Sequence, residues 1–135
     1  MSQGLRIAPP EAPKTGYLYG KGVYFADMIG KSAPYACAHL SGMVGLFLLC
    51  EVALGNARQL HGTDEDADIL PQGFNSTHGV GTNLPDPSNE KVLDEDIIVP
   101  SGKIIRNPDK QAFREHNEFI VYNVDQVKMR YLVKV

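Results

Sequence analysis

The run "GLFLLCEVALGN", residues 45–56, constrains the fold more than any other stretch of the chain. Its apolar residues are continuous instead of spaced along one helical face, and Gly55-Asn56 closes it with a turn signal. Such a strand hides both faces, so it predicts a sheet covered on either side. It is also too short to cross a bilayer, which takes about 20 apolar residues in helical form.

Other segments supply partners for that strand. Residues 22–25, 97–99 and 119–122 read as short strands. Residues 127–135 alternate, with Val127, Met129, Tyr131 and Val133 set against Lys128, Arg130 and Lys134. Residues 26–39 predict the one clear helix, with Asp27 as N-cap and Ile29, Ala33 and Ala36 on a shared face. Pro34 lacks an amide N–H and predicts a kink or a split there. Residues 57–90 are polar and turn-rich and predict a long irregular excursion. Residues 103–116 predict an exposed loop.

The first 20 residues carry Pro9, Pro10 and Pro13 within five positions, which excludes a helix or a central strand. Leu5, Ile7, Tyr17, Leu18 and Tyr19 can anchor the segment, so it reads as an ordered functional loop. The whole is strand-rich, of α+β class, and at 135 residues with 43% apolar content it suits one globular domain.

Charge and cysteine content narrow the function. A net charge of −3 with 13 scattered basic residues argues against direct nucleic-acid binding, which needs clustered Lys and Arg. Cys37 and Cys50 make neither a C-x-x-C pair nor a disulfide framework, the pattern of a reducing compartment. The opening residues have no apolar stretch of the signal-peptide kind, and no membrane association is expected.

"GKGVYFADM", residues 20–28, looks at first like a phosphate loop. It matches neither G-x-x-x-x-G-K-[ST] nor G-x-G-x-x-G, because Phe25 stands where the third glycine belongs. The four histidines show no ligand spacing with the cysteines, and the acidic run 64–68 lacks the calcium-loop pattern, so no metal is expected. Taken alone, Tyr24 is a sheet tyrosine, Glu118 a strand-edge carboxylate, Lys31 and Ser32 an exposed helix face, and Arg6 a solvated cation.

Four stretches, taken together and in order, change that. "SQGLRIAPPEAPKTGYLYGKGVYFADMIGKSAPYA", "LLCEVALGN", "LPDPS" and "NEFIVYNVDQVKMRYLVKV" cover most of the chain. In them the chain resembles the catalytic domain of poly(ADP-ribose) polymerases, most of all the DNA-damage-responsive, polymer-forming branch. The resemblance implies the ADP-ribosyltransferase fold, two packed and mainly antiparallel β-sheets holding NAD+ between them. It implies Glu118 as the catalytic carboxylate. It implies Tyr24 beneath the nicotinamide ring, Tyr35 on its other face, and Ser32 on the carboxamide. Lys31 would lie near Glu118, Gly22 and Tyr17 would belong to the pocket wall, and Arg6 would lie near the adenosine half. Val23 and Phe25 would face the core and Tyr24 the ligand. The Pro-rich loop would cover the adenosine end, and residues 101–116 would form the acceptor side.

NAD+ is then the substrate, acceptor proteins or growing ADP-ribose chains are the partners, and the nucleus is the implied location. The family's upstream strand, bearing a histidine followed by glycine, is not found. His61-Gly62-Thr63 fits the short pattern but lies after the main strand, and it is rejected. The expectation is part of a catalytic domain, without that strand or the helical regulatory domain, and with a sheet edge left exposed. Met1, Ser2 and Gln3 join the family pattern without a break, as internal positions of a longer chain would. A catalytically inert binding or interaction module that keeps the fold is the competing reading; Glu118 favours turnover, and the missing His-Gly strand favours the inert module for this chain as it stands.

Overall fold

The computed structural model describes residues 4–40 and 42–135; Met1, Ser2 and Gln3 lie outside them. The α+β expectation holds, with the strands arranged in four sheets. In chain order the elements begin with β1 (Val23–Phe25), helix α1 (Ile29–Ser32), β2 (Leu46–Val52), β3 (Ala57–Leu60), β4 (Ser76–Gly79) and β5 (Gly81–Pro85). The short hairpin strands β6 (Lys91–Val92) and β7 (Ile98–Val99) follow, then β8 (Ile104–Arg106), β9 (Arg114–His116), β10 (Glu118–Val121) and β11 (Val127–Lys134).

The central sheet runs β1-β10-β4-β3. Strand β10 lies inside it, antiparallel to both neighbours, with Tyr24 opposite Ile120 and Glu118 opposite Gly79. Paired on both edges, it carries two fully buried residues, Ile120 and Val121. Ile120 packs with Tyr19 and Ala67, and Leu18, Tyr24, Leu60 and Tyr122 close over them. A second sheet pairs β2 with β11, with an irregularity between Met129 and Tyr131. The third sets β5 between β8 and β9.

Several expectations change. Strand β2 forms, but it is not buried on both faces: Leu46 and Leu49 are 58% and 57% exposed. Among the described residues its sheet has only two strands, and β11 is itself mostly exposed. The expected irregular excursion holds β3, β4 and β5, and the expected exposed loop holds β8 and β9. Gly, Asn and Pro are poor strand formers and β4 and β5 carry few large apolar residues, so these strands depend on pairing with β10 and with one another.

The helix over 26–39 shrinks to the single turn α1, followed by 3-10 turns at Ala33–Ala36 and Ala38–Leu40. Pro34 stands in the first of those turns, and Cys37 follows it in the left-handed region at φ 48°. The N-cap is Met28, which makes no side-chain cap bond, and not Asp27. The Asp27 carboxylate is instead bonded to Asn117.

The stretch 20–28 builds the junction between loop and sheet. Gly20 takes φ 73°, and a Cβ there would fall 2.6 Å from an Asp68 oxygen. Gly22 lies so close to β10 that a Cβ would stand 2.5 Å from Ile120 Cγ2 and 2.7 Å from the Val121 carbonyl. Between them Lys21 is only 6% exposed, and its ammonium donates to the carbonyls of Pro9 and Pro10 at 2.6 and 2.7 Å. Prolines cannot donate backbone bonds, so a loop rich in them has few of its own. Lys21 supplies donors from the sheet side. Lys14 adds an ion pair to Asp66, and the Leu18 carbonyl accepts from the Asp64 amide at 3.0 Å.

A charge-assisted bond of this kind contributes about 1.5–3 kcal/mol. Replacing Lys21 by Met is expected to raise chymotrypsin cleavage within the loop, at Leu5 or Tyr17, by about tenfold through easier local opening. Unchanged loop cleavage would show that the lysine does not hold it.

Candidate active site

One cleft of about 400 Å³ gathers most of the side chains singled out from the sequence. Strand β1 supplies Tyr24, the turn α1 supplies Lys31 and Ser32, the following 3-10 turn supplies Tyr35, and the Pro-rich loop supplies Tyr17. Glu118, first residue of β10, completes it from the central sheet.

Glu118 is only 6% exposed, and a buried carboxylate must be paired. Its partner is Lys31, whose ammonium makes an ion pair with Oε1. Burial works to lower the Lys31 pKa, but the hydrogen bond and negative charge of Glu118, aided by Tyr35, outweigh it and the net shift is upward. The same ammonium stands 5.6 Å from the centre of the Tyr35 ring, within cation–π range. Tyr35 itself is 75% exposed at the rim, a flat aromatic face open to a ligand.

Tyr24 serves both core and cleft. It packs against the buried cluster of Tyr19, Ala67 and Ile120 and also lines the cleft. Its hydroxyl donates to the Gly20 carbonyl at 2.7 Å and accepts from the Tyr19 amide at 3.0 Å. Burial is the main cause of its raised pKa, so the phenol stays neutral. The Tyr17 ring lies 6.3 Å from it, tilted by 46°. Val23 and Phe25 were expected to face the core. They line an apolar groove with Leu48, Cys50 and Phe119, between the central sheet and β2. Phe25 reaches the cleft as well.

Two expected members are not brought in. Gly22 does not line the cleft and packs on β10 instead. Arg6 lies by a separate groove with Leu5, Ile7 and Tyr122. His61 sits 2.7 Å from Asp109 and is not among the residues of the cleft.

The sequence reading also missed a polar node directly behind Glu118. Asn117 is 5% exposed and bonds to Asp27, to the Gly81 amide and to His78. The available signal was its place beside the carboxylate, but a single Asn reveals nothing about partners 90 residues away. Among the described residues, no cluster of three His, Cys, Asp or Glu side chains is placed to hold a metal ion.

Comparison with known proteins decides the family. The model of the poly(ADP-ribose) polymerase catalytic domain matches residues 1–135. The chain belongs to the poly(ADP-ribose) polymerase family. It is 53% identical to poly [ADP-ribose] polymerase 2 of Arabidopsis thaliana and 54% identical to poly [ADP-ribose] polymerase 2-A of Oryza sativa subsp. japonica, over its whole length. Against poly [ADP-ribose] polymerase 1 of Xenopus laevis it is 48% identical, again over the whole chain. The chain spans 21%, 20% and 13% of those relatives' respective lengths. The matched segment includes every described residue that lines the cleft, Glu118 among them.

The ion pair has a pH signature. Because the Lys31 pKa is raised in the folded state, its stabilising contribution is fully present below the unfolded value, about 10.4, and is lost as pH rises through the higher folded value. Lys31→Met is expected to cost about 2 kcal/mol at pH 7, between the limits for exposed and buried pairs. On the alkaline side, in chemical denaturation, the gap between wild type and variant should persist up to about pH 10.4 and close above it. A gap that has already closed between pH 7 and about 10 would contradict the assignment.

Proposed function

We propose that the chain carries the NAD+ cleft of an ADP-ribosyltransferase and transfers ADP-ribose to protein or ADP-ribose acceptors with release of nicotinamide. The single observation that carries this is a buried carboxylate, Glu118, held by Lys31 in a cleft bordered by Tyr17, Tyr24 and Tyr35. A flat cationic pyridinium ring suits aromatic faces, and Tyr24 and Tyr35 offer them. Ser32 is the hydroxyl in the cleft for the carboxamide.

The chemistry explains why an anion belongs there. The bond between ribose and nicotinamide breaks with its electron pair leaving on nicotinamide, and oxocarbenium-like charge develops on the ribose. Glu118, bonded to a ribose hydroxyl, stabilises that charge as a preorganised anion. The acceptor hydroxyl then bonds to the anomeric carbon, and its proton is drawn off with the help of the same carboxylate. Lys31 holds the Glu118 carboxylate in place until the substrate arrives.

The Pro-rich loop, held by Lys21, covers the adenosine end of NAD+, with its order supplied before binding. Arg6, on that loop, serves the adenosine half. Residues 101–116 form the acceptor side. The chain acts as part of a larger catalytic domain whose upstream strand bears the histidine and glycine that complete the site. The half-exposed β2 and β11 pair and the short share of the relatives' length both support that reading. Kinship with poly [ADP-ribose] polymerases 1 and 2 supports polymer formation, a nuclear location and a role in the response to DNA damage.

The test is covalent incorporation of labelled NAD+ by the chain, by Glu118→Gln, and by a chain extended upstream through the expected strand. Removing the anion is expected to lower incorporation by about 10²-fold or more in whichever chain is active. Incorporation that survives Glu118→Gln would sink the assignment.

A further inference from the structure

Glu118 and Lys31 come from different elements, the first residue of β10 and the turn α1, and their meeting depends on how those elements are tied. A second tie lies immediately beside the first. Asn117 precedes Glu118, and Asp27 precedes Lys31 by four positions. The Asn117 Nδ2 donates to Asp27 Oδ2 at 2.8 Å. Two cross-links, one polar and part-buried and the other ionic, thus span the same gap between β10 and the segment leading into α1.

The orientation of Asn117 is settled by its surroundings. The Gly81 amide only donates, so Oδ1 must face Gly81, and Nδ2 is left to face Asp27. The Gly81 amide is 2.8 Å from Oδ1. His78 Nε2 stands 3.0 Å from the same oxygen, so it carries the proton. The His78 ring stacks on Phe119 at 4.5 Å, which fixes it from the β10 side. The amide is therefore clamped on three sides, by β4, by β5 and by Asp27.

Asp27 shows what the tie costs. Its second oxygen, Oδ1, is buried without a hydrogen-bond partner. A carboxylate in this setting gains less from its surroundings than it would from water. Stability alone does not account for it, whereas geometry does, because its one side-chain bond sets the start of the Lys31-bearing turn against the foot of Glu118.

We propose that Asn117 and Asp27 are positioning residues that set the Lys31–Glu118 geometry on which transfer depends. The activity arm of this inference rests on the ADP-ribosyltransferase reading of the cleft; the geometric arm does not. The decisive experiment is a polarity swap. Asn117→Asp replaces the donor by a second acceptor facing Asp27, and Asp27→Asn/Asn117→Asp restores one bond in the reverse direction. Asp27→Asn alone keeps an acceptor for Asn117 and serves as the conservative variant.

Each protein would be followed by the Lys31 Nζ–H signal in 15N-lysine-labelled protein and by kcat and KM for NAD+. Thermal unfolding would confirm that each is folded. Asn117→Asp is expected to lose the ordered ammonium signal and to lower kcat by about 10²-fold, the scale of a misplaced catalytic group, with KM changed by no more than about threefold. The swap and the conservative variant should recover the signal and bring kcat within about tenfold of wild type. Asn117→Asp indistinguishable from wild type, or a swap no better than the single variant, would overturn the proposal. Transfer is measured in whichever form is active, the chain or its upstream-extended form; if neither shows transfer, the ADP-ribosyltransferase reading fails. The ammonium signal then decides the positioning role alone: loss and recovery support it, and an unchanged signal overturns it.

Discussion

A charge that has left water must be met by another, and the site is arranged around that requirement at Glu118. The carboxylate enters the interior because β10 is the inner strand of the central sheet and carries its first residue in with it. Lys31 answers it from α1, and the Glu118 hydrogen bond and charge hold the Lys31 pKa up against the effect of burial. Removing either member leaves the other stranded, which is why such a pair fixes geometry more than it adds stability. The aromatic residues stand around this pair, so that a cationic ring and an anionic catalyst can share one cleft.

The Pro-rich loop poses the opposite difficulty, of too few bonds instead of an excess of charge. With three prolines it lacks backbone donors, yet it lines the cleft through Gly16, Tyr17 and Leu18. The deficit is met from outside. Lys21 reaches the Pro9 and Pro10 carbonyls, and Tyr122 donates to the Tyr19 carbonyl at 2.8 Å, with Thr77 Oγ1 also 2.8 Å from its hydroxyl. Burial is the first cause of the Tyr122 pKa, raised to about 12, so this hydroxyl remains a donor across the physiological range. Loop order is thus tied to the same sheet that holds Glu118.

How much could be read in advance varied with the source of each element's stability. Strands β1, β7, β10 and β11 were legible because Val, Ile, Tyr and Phe mark them locally. Strands β3, β4 and β5 were not, because "STHG" and "GTNLP" form strands only where a neighbour offers a ladder. The burial of β2 was overestimated, because an apolar run states what a strand tolerates and not what covers it. The split helix was foreseeable at Pro34, whereas the true role of Asp27 depended on Asn117, far along the chain.

The sequence by itself determined the family, the Pro-rich loop, and the residue types that line the cleft. Those rest on identities in order along the chain. The tertiary structure alone decided which of them meet. It brought Tyr17, Tyr24, Lys31, Ser32, Tyr35 and Glu118 to one cavity and left Gly22 and Arg6 out of it. It also revealed Lys21 as the clamp of the loop and Asn117 as the link to Asp27. Hydrogen bonds and ion pairs between distant residues exist only once β10 has taken its place between β1 and β4, and no local pattern encodes that placement.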